Sequence, residues 1–204
     1  VKDCDLSSVR ACVSAGETLP KPTWVAWKEK TGLEILDGIG STELLHIFIS
    51  SRADDIRPGA TGKPVPGYEA KVVDEDGNEV APGKIGKLAV RGPTGCRYLS
   101  DERQNKYVQN GWNLTGDAYQ IDEDGYFWFK ARTDDMIISS GYNIAGPEVE
   151  TALIAHQSVL ECAVVGVPDV QRGSLIKAFV VLQQGIFGDE KLTKELQDFV
   201  KNSI

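Results

Sequence analysis

Two hydroxyls and a carboxylate, Ser41, Thr42 and Glu43, close a run that begins Asp37-Gly38-Ile39-Gly40. Hydroxyl groups donate to phosphate oxygens, and a carboxylate is a hard oxygen ligand for Mg²⁺. The two glycines free the backbone to approach a ligand closely. At the carboxyl end of a strand, where open α/β sheets bind ligands, such a run is a candidate nucleotide site; a glycine turn capped by Ser or Thr is the plainer alternative. A second candidate is Asp117, at the end of Gly111-Trp112-Asn113-Leu114-Thr115-Gly116-Asp117. A carboxylate just after a glycine can accept both hydroxyls of a ribose, although an ordinary Thr-Gly-Asp turn reads the same way. The third is the stretch 133–150, TDDMIISSGYNIAGPEVE, with Arg132 before it. It runs through a charged turn, an apolar strand, the loop Ser139-Ser140-Gly141 and a proline-started helix. With Arg132, Asp134 and Asp135 clustered at the join, it reads as a hinge between two bodies. No Ser-His-Asp or Cys-His arrangement, P-loop or internal repeat accompanies these groups.

The elements that must position them fall into three textures. Residues 9–14 form a short β-prone run ending in small residues and Gly16. Residues 20–32 predict a helix, with Pro20 at its start, Trp24, Val25 and Trp27 apolar, and Gly32 as C-cap. Residues 34–36 predict the next strand, giving the strand, helix, strand order of a parallel α/β unit. From 57 to 132 the pattern changes to short strands broken by Asp76-Gly77, Pro82-Gly83 and Asp124-Gly125, which are hairpin signals. The aromatic run Tyr126-Phe127-Trp128-Phe129 suits the filling of a small barrel or sandwich, with base stacking as the alternative use. After the hinge, Pro147 starts a helix to about His156, the β-branched runs 160–167 and 178–182 read as buried strands, and 189–204 reads as an amphipathic helix. His156, at a helix end, is expected to be structural. The fold class is α/β (α+β).

Composition narrows the function classes. The chain of 204 residues is 41% apolar, enough for a core. Its formal net charge of -8 argues against nucleic acid as the main partner, because phosphate binding needs a basic surface. Cys4, Cys12, Cys96 and Cys162 show neither a close pair nor metal-ligand spacing, so buried free thiols in a reducing cytoplasm are expected. No apolar run approaches the roughly 18 residues of a membrane helix and no signal peptide opens the chain, so neither membrane nor export is expected. A homo-oligomer stays open. Residue 1 is Val, the only Met is Met136, and the last helical pattern reaches Ile204 without a stop signal, which predicts a piece of a longer chain.

GSTE at 40–43, TGD at 115–117, ARTDDMIISSGYNIAGPEVE at 131–150 and VVGVPDVQRG at 164–173, in that order, resemble the adenylate-forming acyl-CoA synthetases, the AMP-dependent synthetase and ligase family. The likeness covers nearly the whole chain. DGIGSTE, GPTGCRYL before GWNLTGD, and SSGYNIAGPEVE look most like the aryl-acid CoA ligases of the 2-aminobenzoate and benzoate class. The resemblance implies that residues 1–131 are the C-terminal part of a large adenylating domain (α/β over 1–56, β-rich over 57–131), and that 132–204 are part of a small α+β lid domain. It implies ATP or AMP, Mg²⁺ and coenzyme A as cofactors and a small aromatic carboxylic acid as substrate, joined first to AMP and then to CoA. Thr42 would hold the α-phosphate, Glu43 the Mg²⁺, Asp117 the ribose hydroxyls, and Arg132 would lie near ribose and phosphate. Gly16 and the backbone of Asp37, Gly38 and Ile39 would flank the adenine. Asp134 falls at the family's hinge, and Ser139, Ser140 and Gly141 on the loop that swings in for thioester formation.

This sequence departs from the family in Ile39, where many relatives place an aromatic against adenine, and in Ala131, where a glycine is usual. The family's phosphate loop and adenylation lysine would fall before residue 1 and after residue 204, so the 204 residues alone are expected to be inactive. Two other readings stay open: a non-catalytic nucleotide-binding module, and an adenylating enzyme with a different acyl acceptor.

Overall fold

The computed structural model describes residues 4–204, which divide into one unit reaching to Lys130 and another, Ala131–Ile204. The first opens with strand β1 (Cys12–Ser14), helix α1 (Lys21–Thr31) and strand β2 (Ile35–Gly40), and β1 lies parallel to β2 as the strand, helix, strand pattern requires. Proline in the first turn needs no donor there, and Gly32 ends α1 in the left-handed region at φ 74°, its N–H donating to Lys28 O at 2.8 Å. Trp24 is the helix's buried residue, and its indole N–H donates to Ile35 O at 2.9 Å, tying α1 to β2.

Strand β2 corrects one expectation. It does not end at residue 36 in a glycine loop but continues through Asp37, Gly38, Ile39 and Gly40, pairing antiparallel with β3 (Ile47–Ser50). A Cβ on Gly40 would lie 2.6 Å from His46 O, and one on Gly38 would lie 3.2 Å from Ile49 O. The glycines therefore admit the neighbouring strand. β4 (Lys63–Pro64) completes this sheet in the order β1-β2-β3-β4.

The β-rich part contains β5 (Glu69–Val73), β6 (Ile85–Arg91), a short helix α2 (Arg103–Tyr107), β7 (Val108–Gln109), β8 (Trp112–Ile121) and β9 (Phe127–Arg132). Its strands run β5-β6-β8-β7, with β9 also on β8. Asp76-Gly77 and Pro82-Gly83 both lie in the connection between β5 and β6; at Asp76-Gly77 the chain folds back antiparallel, Val73 bridging Glu79 and Val80 N–H donating to Val72 O at 3.0 Å. Leu44, Phe48, Val72, Leu88, Val90 and Tyr119 share a core with Ile49 and Phe127. Phe127 and Phe129 pack on Tyr119 at centroid distances of 6.3 and 5.6 Å, so this part of the aromatic run fills the core. Tyr126 faces cations instead, with Arg57 3.8 Å and Lys63 4.1 Å from its ring. Arg57 also bridges Asp122 and Asp124 at 2.8 and 2.9 Å, which clamps the β8–β9 turn.

In the second unit a single 3₁₀ turn, Thr133–Asp135, leads into β10 (Ile137–Ser139) and β11 (Tyr142–Ile144), a two-stranded hairpin. α3 (Gly146–Ile154), the long antiparallel pair β12 (Val159–Asp169) and β13 (Gly173–Leu182), and α4 (Glu190–Ser203) follow. The Asp189 carboxylate caps α4 by accepting from Leu192 N at 2.7 Å. Ile137, Val149, Leu153, Val159, Val164 and Leu196 form the core. His156 is buried, with Nε2 3.2 Å from Glu195 Oε1 and its ring edge-on to Phe199 at 5.0 Å, a packing role.

Two further expectations fail. β12 and β13 are not buried strands: Phe179, Val181 and Val165 remain 55%, 50% and 43% exposed. A two-stranded ribbon presents alternate side chains to opposite faces, and only the face carrying Val164 and Val180 meets the core. The cysteines are free, but none is buried. Among the described residues no helix is long and apolar enough to cross a membrane, and no cluster of three metal-binding side chains occurs.

The close approach of β3 makes Gly40 a stability test. Gly40→Ala forces its methyl against the His46 carbonyl, and overpacking of this kind costs about 1–3 kcal/mol. Urea unfolding is expected to show a lower midpoint with an unchanged slope.

Candidate active-site elements

β2 stops at Gly40 and β3 begins at Ile47, and the intervening turn carries Ser41, Thr42 and Glu43. Leu44 anchors it. Its side chain is fully buried, its N–H donates to Ser41 Oγ at 3.2 Å, and its carbonyl accepts from the Thr94 hydroxyl. The anchor leaves Thr42 exposed and Glu43 half-buried. The Tyr98 hydroxyl donates to Glu43 Oε1 at 2.7 Å. Burial pushes the Glu43 carboxyl up, but hydrogen bonds from Tyr98, its own backbone amide and Ser41, with the charge of Arg103, outweigh this and hold it below the ordinary glutamate value. Nearby, burial pushes the Tyr107 phenol to about 12, offset only in part by Ser41.

A carboxylate kept ionised beside an exposed hydroxyl suits Mg²⁺. That ion keeps waters and substrate phosphate oxygens and takes one or two carboxylates from the protein. Glu43 would hold it, and Thr42 would face the same phosphates.

At the other end of the same strand, Asp37 pairs in register with Ser14, so the segment carrying Gly16 leaves β1 beside it. Gly16 has φ 96°, a left-handed conformation that favours glycine. Ile39 pairs with Ile49 and packs against the core, so its backbone belongs to the sheet ladder. Asp37 is 8% exposed and lines a shallow depression with Leu19, Trp24, Ile35, Ser51 and Ala60. Burial drives its carboxyl up to about 6, against a smaller opposing hydrogen bond from Gly38 N–H.

Asp117 lies on no turn. β8 pairs Ala118 with Lys87 and Leu114 with Ala89, so Thr115, Gly116 and Asp117 oppose the single residue Leu88. This is a bulge, with Gly116 at φ 80°, and a bulge re-aims a side chain within a continuous strand. Asp117 is buried there. Arg132 ends β9 and is exposed; Asp134 and Asp135 stand exposed in the 3₁₀ turn. Ser139 closes β10, while Ser140 and Gly141, at φ 51° and 81°, form a type I′ hairpin turn rather than a strand-to-helix turn. Ser140 N–H donates to Arg172 O at 2.8 Å, joining this tip to the β12–β13 turn.

The structure thus assembles Ser41, Thr42 and Glu43 with Tyr98, sets Asp37 beside the segment carrying Gly16, and places Ser139, Ser140 and Gly141 on one hairpin. Tyr98, Arg103 and Tyr107 escape a reading by local motif, because Tyr98 meets Glu43 across 55 residues of chain.

The family model "AMP-binding enzyme" matches residues 1–98, the model "AMP-binding enzyme C-terminal domain" matches 148–204, and the chain belongs to this family. Benzoate–CoA ligase from Thauera aromatica is 44% identical over 197 residues, covering 95% of this chain and 37% of that protein. The crystal structure of the anthranilate CoA ligase AuaEII in complex with anthranoyl-AMP superimposes with a TM-score of 0.90 at 46% identity, over 98% of this chain and 39% of that one. The amide bond synthetase McbA from Marinactinospora thermotolerans gives 0.89 at 32% identity, over 98% and 42%. The chain therefore spans somewhat over a third of the length of these relatives.

Asp37 sets a pH test. Its folded-state pKa is raised, so its contribution to stability is fully present below the ordinary carboxylate value near 4 and is lost as pH rises through about 6. Asp37→Asn is expected to flatten stability against pH between about 4 and 7, with a gain at pH 8 on the order of 3 kcal/mol. Urea unfolding at pH 4 and pH 8 checks it; an unchanged slope would place the titration elsewhere.

Proposed function

We propose that the protein carrying this chain is an ATP-dependent aryl-acid CoA ligase of the 2-aminobenzoate or benzoate class. The observation that supports this most is the 46% identity, along 98% of the chain, to a ligase whose crystal structure holds anthranoyl-AMP. On this reading the substrate carboxylate attacks the α-phosphorus of ATP, releasing pyrophosphate, and the CoA thiol then displaces AMP.

The chain's residues divide that work. Thr42 donates to the α-phosphate from its exposed position on the turn. Glu43 holds Mg²⁺, which when bound neutralises phosphate charge that builds in the transition state. Asp117 receives the ribose hydroxyls from the bulge, Gly16 and the backbone at 37–39 flank the adenine, and Arg132 lies by ribose and phosphate. Asp134 is the pivot of a lid formed by residues 132–204. Ser139, Ser140 and Gly141 border the path of the pantetheine arm, where a residue without a side chain leaves room. The 204 residues alone are proposed to be inactive, the phosphate loop and the adenylation lysine being supplied from outside them.

A second reading changes only the acceptor. The likeness to an amide bond synthetase favours transfer of the acyl group to an amine. The half-reactions separate the two. With 2-aminobenzoate or benzoate and ATP, the intact protein is expected to release pyrophosphate, and adding CoA to yield the aryl-CoA thioester. Amide without thioester would favour the second reading, and no pyrophosphate with any aromatic acid would overturn the substrate class. Glu43→Gln is expected to lower the rate of pyrophosphate release by on the order of 10²-fold, as for loss of one electrostatic group at a developing charge.

A further inference from the structure

Glu43 sits on an irregular turn, where no strand ladder dictates the direction of its carboxylate. The backbone amide of Glu43 and Ser41 hold it from within the turn, and Tyr98 holds it from a distant segment, donating its hydroxyl proton to Glu43 Oε1 at 2.7 Å. Tyr98 is in turn held from several sides. Its backbone N–H donates to Gln104 Oε1 at 2.8 Å. Its ring meets Tyr107 edge-on, with centroids 5.8 Å apart and planes at 87°. The Arg103 guanidinium lies 4.9 Å from the ring centroid, and Asp101 pins that guanidinium through bonds of 2.6 and 2.8 Å. Gln104, Tyr107 and Arg103 all belong to α2, which has no fully buried residue and so adds little to the core. What α2 does contribute is a mount for one phenol.

We propose that Tyr98 is a positioning residue for the divalent cation, fixing which oxygen Glu43 offers, and that α2 serves to hold Tyr98. A carboxylate with Oε1 committed to a phenol presents Oε2 to a cation as a single ligand. One-point ligation suits Mg²⁺, whose octahedral shell admits little distortion and retains several waters. Partners that orient a ligating group typically change metal affinity by about 10–100-fold when removed. The inference rests on the reading of Glu43 as the Mg²⁺-holding residue.

The test uses the intact protein with Mn²⁺ as a paramagnetic probe and α,β-methylene ATP as a nucleotide that cannot be split at the reacting phosphate. Tyr98→Phe keeps the ring and removes only the hydroxyl. It is expected to weaken Mn²⁺ binding about 10-fold by electron paramagnetic resonance. The Mg²⁺ concentration for half-maximal pyrophosphate release should rise by a similar factor, with kcat recovering at saturating Mg²⁺. The thermal midpoint and the KM for the aromatic acid should stay unchanged. A lowered thermal midpoint with activity that Mg²⁺ does not rescue would overturn the proposal in favour of a packing role. Unchanged Mn²⁺ affinity in Tyr98→Phe, with a loss in Glu43→Gln, would overturn it while leaving the metal reading intact. Unchanged affinity in Glu43→Gln as well would remove that reading and the inference with it.

Discussion

The turn between β2 and β3 depends on the burial of Leu44. Its neighbour Leu45 faces outward and adopts φ 60°, a conformation a non-glycine residue takes only under constraint from its surroundings. The constraint is Leu44. Its side chain is sealed in the core, its N–H is taken by Ser41 and its carbonyl by Thr94. Full burial of a leucine side chain is worth about 1.5–3 kcal/mol, enough to offset the 1–3 kcal/mol typical of one strained residue. Thr42 and Glu43 are thus held in position by an apolar residue that takes no part in chemistry.

Tyr98 extends that arrangement across the chain. Strand and helix patterns made the parallel β1–β2 unit legible, because the proline at the start of α1, the αL glycine at its end and the apolar Trp24 each act within a few residues. The same locality hid α2, whose five residues lack an apolar face and whose value lies in a contact 55 residues away. Asp37-Gly38-Ile39-Gly40 misled for a related reason. Paired glycines serve equally for a loop near a ligand and for a strand pressed against its neighbour, and only the 2.6 Å approach of His46 O to a Cβ on Gly40 decides between them.

The β12–β13 ribbon shows a different limit. A β-branched run records strand preference, while burial depends on what covers each face, which the strand itself does not encode. Val164 is buried and Val165 is 43% exposed, though they are identical side chains one position apart. Asp117 was legible as an acid after glycine, but the bulge that aims it depends on a register set by β6, and nothing within Thr115-Gly116-Asp117 reveals that two extra residues are inserted there.

Asp37 and Glu43, at the two ends of one short segment, show how the sheet sorts like groups into unlike states. Asp37 lies among Leu19, Trp24 and Ile35, where burial outweighs the one opposing hydrogen bond and its pKa climbs to about 6. Glu43 lies beyond the strand end, where several donors outweigh its burial and keep it ionised. A regular strand could not have made this division, since its backbone donors are spent on the neighbouring ladder. Interrupting the ladder after Gly40 releases backbone and hydroxyl groups to solvate a carboxylate. Asp117 on its bulge and Ser140 and Gly141 on a hairpin tip likewise stand where pairing is interrupted, whereas Asp37, Gly38 and Ile39 remain within the paired ladder.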